Sequence, residues 1–100
     1  MKTILNLIDG MMIPASDGMI LNDIGPATGE IIATIPRSNE TDVKSAIVAA
    51  KNAQADWAAL SMNERADWLD LIADSLEKCT EDIASLESLD TGKPIGLARA

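Results

Sequence analysis

Pro36 divides this chain into two segments whose apolar residues follow different patterns. Before it, short apolar runs alternate with Asp-Gly, Pro and Gly, which is typical of short strands joined by turns. The β-branched run Ile31–Ile35 predicts a strand that ends at Pro36. Residues 39–91 contain no Gly or Pro, and their apolar residues recur at helical spacing. The sequence therefore predicts strands and turns over 1–36 and helices over 39–91, with a further helix beginning within 94–100.

A hairpin is predicted at Asp9-Gly10, which separates the apolar runs Ile4–Ile8 and Met11–Ile13. Asp-Gly readily adopts the positive φ angles of a type I′ turn, whose twist matches that of the two flanking strands. Two further turns are predicted, at residues 17–18 and 26–29, because both carry a Gly at a position suited to a left-handed conformation.

The helix ends carry recognisable signals. The predicted N-terminal caps are Asn39, Ser61 (with Glu64 completing a capping box) and Thr80. Gly92 is the predicted C-terminal cap of the third helix. Pro94 is predicted to be the first residue of a fourth helix, where its missing N–H is not needed.

The helical spacing also predicts an apolar side for each helix. The apolar stripes are Val43, Ala46, Ile47, Ala50, Ala53 and Trp57 in the first helix, and Met62, Ala66, Leu69, Ile72, Ala73 and Leu76, widened by Trp68 and Leu71, in the second. In the third helix the predicted buried positions are Ile83, Leu86 and Leu89. If these faces normally lie against a segment outside the chain, they are exposed in the isolated chain. A marginal or molten fold is then expected.

Composition excludes several classes of protein. The chain of 100 residues has no His and one Cys, which rules out a zinc finger, a disulfide scaffold and a histidine general base. Its net charge of −8 repels phosphate backbones, so no nucleic-acid partner is expected. No apolar run has the length of a membrane span or signal peptide, so no membrane partner is expected and a cytoplasmic location is predicted.

The residues that carry reactive groups form no catalytic set. Cys79 is predicted to be a buried structural residue, since it has no His partner and lies near the end of the second helix, where the helix dipole disfavours a thiolate. Gly92-Lys93 is not a phosphate-binding loop, because Glu87 and Pro94 stand where that motif needs Gly and Ser or Thr. The acidic residues 67, 70, 74 and 77 either form a solvated helix face or bind a cation, and the former is favoured.

Several segments together resemble the NAD(P)-dependent aldehyde dehydrogenases. Gly25-Pro26-Ala27-Thr28-Gly29-Glu30 is similar to the Asn-Pro-Ala-Thr-Gly-Glu turn near the start of that family, and residues 86–94 are similar to its Leu-Glu-Thr-x-Asp-Thr-Gly-Lys-Pro segment. Ile8-Asp9-Gly10 is similar to the first hairpin of the family. The apolar positions of the first two predicted helices are similar to those of the family's first two helices. Gly25 replaces the usual Asn and Gln54 the usual Phe, at positions that are not catalytic in the family.

This resemblance implies an α/β, aldehyde dehydrogenase-like fold, in which residues 1–100 are the N-terminal part of the NAD-binding domain. A β-hairpin and short strands are then followed by three to four helices that border that domain. The family oxidises a small-molecule aldehyde to the acid: a Cys thiolate attacks the aldehyde, hydride passes to NAD or NADP, and a Glu activates water. None of these catalytic or cofactor-binding residues falls within this chain, so the resemblance implies an inactive fragment. Members form homodimers or homotetramers.

Two finer implications follow from the same resemblance. Glu87-Ser88 and Leu97-Ala98-Arg99 look most like the 2-hydroxymuconic and 2-aminomuconic semialdehyde dehydrogenases, which implies a muconic semialdehyde substrate. Many members also bind Na⁺ or K⁺, and the matching positions here are Asp23, the carbonyl of Ile24, and Asp90. Oxygen ligands of this kind suit a hard cation. The alternative for Asp90, a solvated capping residue, stays open.

Two other classes remain open from the sequence. One is a small α+β interaction module without catalysis, which only the chain length favours. The other is a regulatory or assembly fragment that binds a full-length enzyme. The chain stops at Ala100 within a predicted helix, and we therefore expect a fragment whose downstream coding sequence distinguishes the three readings.

Overall fold

A computed structural model describes residues 1–100, which form five short strands followed by four helices. The strands are β1 (Lys2–Thr3), β2 (Asn6–Ile8), β3 (Met11–Ile13), β4 (Ile20–Ile24) and β5 (Ile31–Pro36). The helices are α1 (Glu40–Ala59), α2 (Met62–Lys78), α3 (Thr80–Thr91) and α4 (Ile95–Arg99). The chain divides into two compact units, residues 1–24 with 30–55 and residues 25–29 with 56–100. The predicted order of strands and then helices is confirmed.

The strands form two small sheets. β2 and β3 are an antiparallel hairpin in which Leu7 pairs with Met12. Asp9 and Gly10 have φ angles of 53° and 73°, as the predicted type I′ turn requires. In the second sheet β5 is central: it pairs antiparallel with β4 and parallel with β1. The parallel pairing of Lys2 with Ala33 was not predicted, because it joins residues far apart in sequence.

The N-terminal caps of α1 and α2 form as predicted. At α1, the Asn39 side chain accepts a hydrogen bond from the backbone N–H of Asp42 (3.1 Å). At α2, the Ser61 hydroxyl accepts from the Glu64 N–H (3.1 Å), and the Glu64 carboxylate accepts from the Ser61 N–H (2.9 Å). Each cap satisfies backbone donors that have no partner within the helix.

The α3 boundaries differ partly from the prediction. Cys79, and not Thr80, occupies the N-terminal cap of α3, and it makes no side-chain capping bond. Thr80 is instead the first helical residue, and its hydroxyl donates back to the Glu77 carbonyl (2.7 Å). Gly92 ends α3 with a φ of 75°, as predicted. Pro94 caps α4 with an extended ψ of 139° and is therefore not its first helical residue.

The buried residues are small. Ala15 and Ala33 are buried in the first unit and Ala84 in the second, and no large side chain is fully buried. The predicted buried positions Ile83, Leu86 and Leu89 are wrong for this chain, since these side chains are 43–50% exposed. The apolar stripe of α2 and both Trp side chains are exposed as well. Helical spacing predicts which residues share a face, but burial also requires a second surface against that face.

Candidate functional site

Asp42 is the one buried charged residue of the chain. One carboxylate oxygen accepts from the Asn39 N–H (2.9 Å) and the other from the Ser16 N–H (3.0 Å). The hydrogen bonds from the Asn39 and Ser16 backbones hold the pKa of this carboxyl below its ordinary value of 3.8, against the opposing effect of desolvation. Asp42 therefore holds the loop that follows β3 against the first turn of α1.

The side chain of Asn39 extends the same network. Its amide nitrogen lies 3.1 Å from the Ser16 hydroxyl and 3.4 Å from the Asp17 carboxylate. The Asp17 carboxylate in turn accepts a hydrogen bond from the Met19 N–H (2.9 Å). The Gly18 N–H donates to the Ala15 carbonyl (2.9 Å), which closes the turn predicted at residues 17–18. The sequence predicted Asn39 as the cap of the first helix, but it carried no local signal for Ser16.

An open groove of about 200 Å³ lies beside this network in the first unit. Its lining residues are Asn6, Leu7, Ile8, Ser38, Asp42, Val43 and Ala46. The Asn6 amide donates to the Ser38 hydroxyl (2.8 Å). A dinucleotide needs backbone N–H groups or cations around its phosphates. This groove is apolar and contains a carboxylate, so its residues do not fit NAD or NADP.

The two longest motifs of the resemblance meet in the second unit. The turn at 25–29 closes through a hydrogen bond from the Gly29 N–H to the Gly25 carbonyl (2.8 Å). A Cβ added to Gly92 lies 3.3 Å from Cγ of Pro26. Gly92 is therefore required both by its left-handed backbone and by the close approach of this turn. The two sequence motifs are parts of one packed contact.

The segment after Gly92 is held by local hydrogen bonds. The Ser88 hydroxyl donates to the Lys93 carbonyl (2.6 Å), and the Lys93 ammonium lies 3.3 Å from the Glu87 carboxylate. Arg99 of α4 makes a bidentate contact with Glu81 of α3 at 3.0–3.2 Å. These contacts give Lys93 a structural partner that the sequence did not indicate.

The predicted cation ligands lie on different elements. Asp23 is half-buried in β4, and Ile24 follows it at a register shift between β4 and β5. Asp90 is exposed in the last turn of α3 and belongs to the other compact unit. No group of three or more His, Cys, Asp or Glu side chains is arranged to hold a metal ion. The cation site at these three residues stays a prediction.

Cys79 is exposed, so the prediction of a buried structural thiol is wrong. It is both the last cap of α2 and the first cap of α3. A residue at such a junction belongs to neither helical face, which is why the periodicity around it does not predict its burial. Separately, none of the helices combines the length and hydropathy that a membrane crossing needs.

The sequence model of the aldehyde dehydrogenase family matches residues 13–100. The chain belongs to the aldehyde dehydrogenase family. A curated relative, betaine aldehyde dehydrogenase of Rhizobium etli (strain CIAT 652), is 42% identical over 90 residues, which cover 90% of this chain and 18% of the relative. The resemblance drawn from the motifs is confirmed.

Two solved structures share the fold of this chain. PnpE in complex with nicotinamide adenine dinucleotide is similar at a TM-score of 0.94 and 38% identity, over 97% of this chain and 20% of that one. The NAD-dependent aldehyde dehydrogenase of Sinorhizobium meliloti is similar at a TM-score of 0.92 and 33% identity, with the same coverage. The predicted α/β, aldehyde dehydrogenase-like fold class is confirmed. The chain spans about a fifth of the length of these relatives.

Proposed function

We propose that this chain is the N-terminal part of the NAD-binding domain of an NAD(P)-dependent aldehyde dehydrogenase. The supporting observation is the family match over residues 13–100, joined to a backbone similarity that extends over 97% of the chain. The whole protein, on this proposal, oxidises a small-molecule aldehyde to its carboxylic acid. It works in the cytoplasm as a homodimer or homotetramer.

The chemistry belongs to the remainder of that protein. Bound NAD or NADP supplies the hydride acceptor of the reaction. The chain itself offers no dinucleotide cradle, and its single thiol, Cys79, has no His partner anywhere in the sequence. Its own contribution is structural: the strands, caps and turn contacts described above present its helices to the rest of the enzyme.

For the substrate we propose a muconic semialdehyde, on the resemblance carried by Glu87-Ser88 and Leu97-Ala98-Arg99. Betaine aldehyde is the second candidate, because a relative named for that substrate is 42% identical to this chain. The two candidates differ sharply in charge: betaine aldehyde is a cation, and the muconic semialdehydes carry a carboxylate. A substrate pocket therefore discriminates strongly between them.

The deciding experiment is an assay of the whole protein for aldehyde-dependent reduction of NAD and of NADP. The panel holds 2-hydroxymuconic semialdehyde, 2-aminomuconic semialdehyde and betaine aldehyde. Turnover of a muconic semialdehyde with the highest kcat/KM supports both parts of the proposal. Preference for betaine aldehyde keeps the enzyme class and rejects the substrate. No turnover of these three aldehydes rejects both substrate candidates.

We also propose that Asp23, the carbonyl of Ile24, and Asp90 supply oxygen ligands to Na⁺ or K⁺ in the whole protein. Asp90→Asn keeps the size of the side chain and removes its charge, so the concentration of cation that gives half-maximal thermal stabilisation rises. Asp74→Asn, on the exposed acidic side of α2, is the matched control and leaves this concentration unchanged. The same cation dependence in Asp90→Asn and in the parent protein rejects the site.

A further inference from the structure

The chain contains the tripeptide Asp-Gly-Met twice, at residues 9–11 and at residues 17–19. In both copies the Asp and the Gly are exposed, and the Gly has a left-handed φ, 73° at Gly10 and 71° at Gly18. An Asp followed by Gly is reactive because Gly has no side chain to hinder the approach of its nitrogen to the preceding carboxyl group. The two copies are therefore a matched pair in sequence and exposure, and they differ in how the fold holds the reacting atoms.

The reaction open to such a dipeptide is closure of a succinimide ring. The Gly nitrogen attacks Cγ of the protonated Asp carboxyl, an N–C bond forms, and the carboxyl hydroxyl leaves with the N–H proton as water. A water molecule then opens the ring at either of its two carbonyls. Opening at the side-chain carbonyl restores Asp, and opening at the main-chain carbonyl gives isoaspartate, in which the main chain passes through Cβ and Cγ. One water leaves and one is added, so the change consumes no oxidant, reductant or cofactor.

At Asp17-Gly18, hydrogen bonds hold both reacting groups. The Gly18 N–H donates to the Ala15 carbonyl (2.9 Å), which directs the attacking nitrogen toward that carbonyl. The Asp17 carboxylate accepts from the Met19 N–H (2.9 Å), and its second oxygen lies 3.4 Å from the Asn39 amide nitrogen. Ring closure here requires these bonds to break, and their loss adds to the barrier of the reaction.

At Asp9-Gly10, the reacting groups are not held in this way. The Asp9 carboxylate makes no hydrogen bond or ion pair, and the Gly10 N–H makes no hydrogen bond. Asp9 is also the one residue other than Gly with a positive φ, 53°, a conformation that L-residues seldom adopt. Rotation of Asp9 toward the ring geometry therefore breaks no bond of its side chain and releases local backbone strain.

We propose that Asp9-Gly10 is a site of spontaneous isoaspartate formation in the folded protein, and that Asp17-Gly18 is protected by its hydrogen bonds. This inference goes beyond the proposed function and does not depend on it, because the reaction needs only water and the Asp9-Gly10 turn. It assigns to the first hairpin a slow covalent change that leaves the mass of the protein unaltered.

Isoaspartate does not fit the turn in which it forms. Ile8 pairs with Met11 across two turn residues, the spacing that a type I′ turn spans. Isoaspartate adds one methylene to the main chain between these partners, so their pairing is disturbed. Leu7 and Ile8 also line the groove beside Asp42, and the change therefore alters the wall of that groove.

The test incubates the whole protein in neutral buffer, folded in one sample and unfolded by urea in another, and then digests both with trypsin. Residues 3–37 form one tryptic peptide that contains both sites. Electron-transfer fragmentation of this peptide distinguishes isoaspartate from Asp at each position. In the folded protein we expect isoaspartate to accumulate at least several-fold faster at residue 9 than at residue 17. In urea we expect similar rates at both, since the tripeptides are identical and neither turn is formed.

Two results overturn the proposal. One is equal accumulation at residues 9 and 17 of the folded protein, which shows that the hydrogen bonds do not distinguish the sites. The other is an unmodified residue 9 in the folded protein while the urea sample reacts, which shows that the folded turn prevents ring closure.

Asp9→Asn is a more sensitive second probe of the same turn. Asn-Gly suits a type I′ turn as Asp-Gly does, and an amide releases its nitrogen as ammonia more readily than a carboxyl releases its oxygen. We expect this variant to form isoaspartate faster at residue 9 and at an unchanged rate at residue 17. Absence of isoaspartate at residue 9 of the folded variant contradicts the site, whether or not the whole protein oxidises an aldehyde.

Discussion

At the scale of single residues, the buried Asp42 carboxylate joins two segments of the first unit. Its two carboxylate oxygens join the first turn of α1 to Ser16, which is distant in sequence. Both bonds require an acceptor, and a protonated carboxyl accepts them more weakly. The negative charge of Asp42 is therefore part of the fold of the first unit.

This charge predicts an acid-sensitive contact. Because the folded pKa of Asp42 lies below its ordinary value of 3.8, the folded state binds fewer protons than the unfolded state between the two pKa values. The contribution of Asp42 to the free energy of unfolding is fully present above the unfolded pKa, and it is lost as pH falls through the folded pKa. We expect Asp42→Asn to remove this loss and to lower stability at neutral pH. Hydrogen exchange of the Ser16 amide, followed between about pH 3 and 7, measures how far the bond from this N–H to Asp42 is lost in acid. The same acid dependence in parent and variant contradicts the assignment.

Gly92 makes a second residue-scale prediction. Gly92→Ala places an L-residue at a φ of 75° and a Cβ 3.3 Å from Pro26. The left-handed backbone alone costs about 1 kcal/mol, and the crowding against Pro26 adds to this. Gly18→Ala is the control, since its φ is 71° and its added Cβ meets nothing within 4 Å. Urea unfolding of the whole protein measures the loss of unfolding free energy in each variant. An equal loss in the two variants shows that contact with Pro26 does not constrain residue 92.

At the scale of elements, the N-terminal cap of α2 can be tested in a peptide, because its reciprocal bonds join only Ser61 and Glu64. In a peptide of residues 61–79, Ser61→Ala removes one capping acceptor and reduces helix stability by about 0.5–2 kcal/mol. Ser75→Ala is the matched control. Its hydroxyl donates to the Leu71 carbonyl within the helix, so its loss leaves helicity equal or slightly higher. Far-UV circular dichroism measures both, and equal helicity contradicts the role of the cap.

The elements also show what the sequence could predict. The hairpin at Asp9-Gly10, the α2 capping box and the Gly92 cap were predicted, because each depends on residues within a few positions of one another. The parallel pairing of β1 with β5 and the bond from Ser16 to Asp42 were not, because their partners lie more than 25 positions apart. Burial of the α3 side chains was predicted wrongly, since the pattern names a face and not the surface that covers it.

At the scale of the whole molecule, the isolated chain is expected to bind hydrophobic dyes and to melt gradually. Its buried apolar side chains are those of Ala15, Ala33 and Ala84, and large apolar side chains are exposed on α1, α2 and α3 alike. Exposed apolar surface of this extent is typical of a fold that needs a partner surface. Dye fluorescence and a calorimetric scan of the 100-residue chain measure this. A sharp, cooperative transition without dye binding indicates that the chain folds independently.

The fluorescence of the two exposed tryptophans reports whether other parts of the protein cover this chain. Trp57 and Trp68 are its only aromatic residues, so all of its intrinsic emission arises from them. Their side chains are 42% and 54% exposed, which gives the long-wavelength emission of an indole in water. Within the whole protein, a blue shift on removing either Trp, relative to the unaltered enzyme, identifies which indole still faces solvent. The emission spectra of the two variants thus show separately whether α1, at Trp57, and α2, at Trp68, are covered in the whole protein.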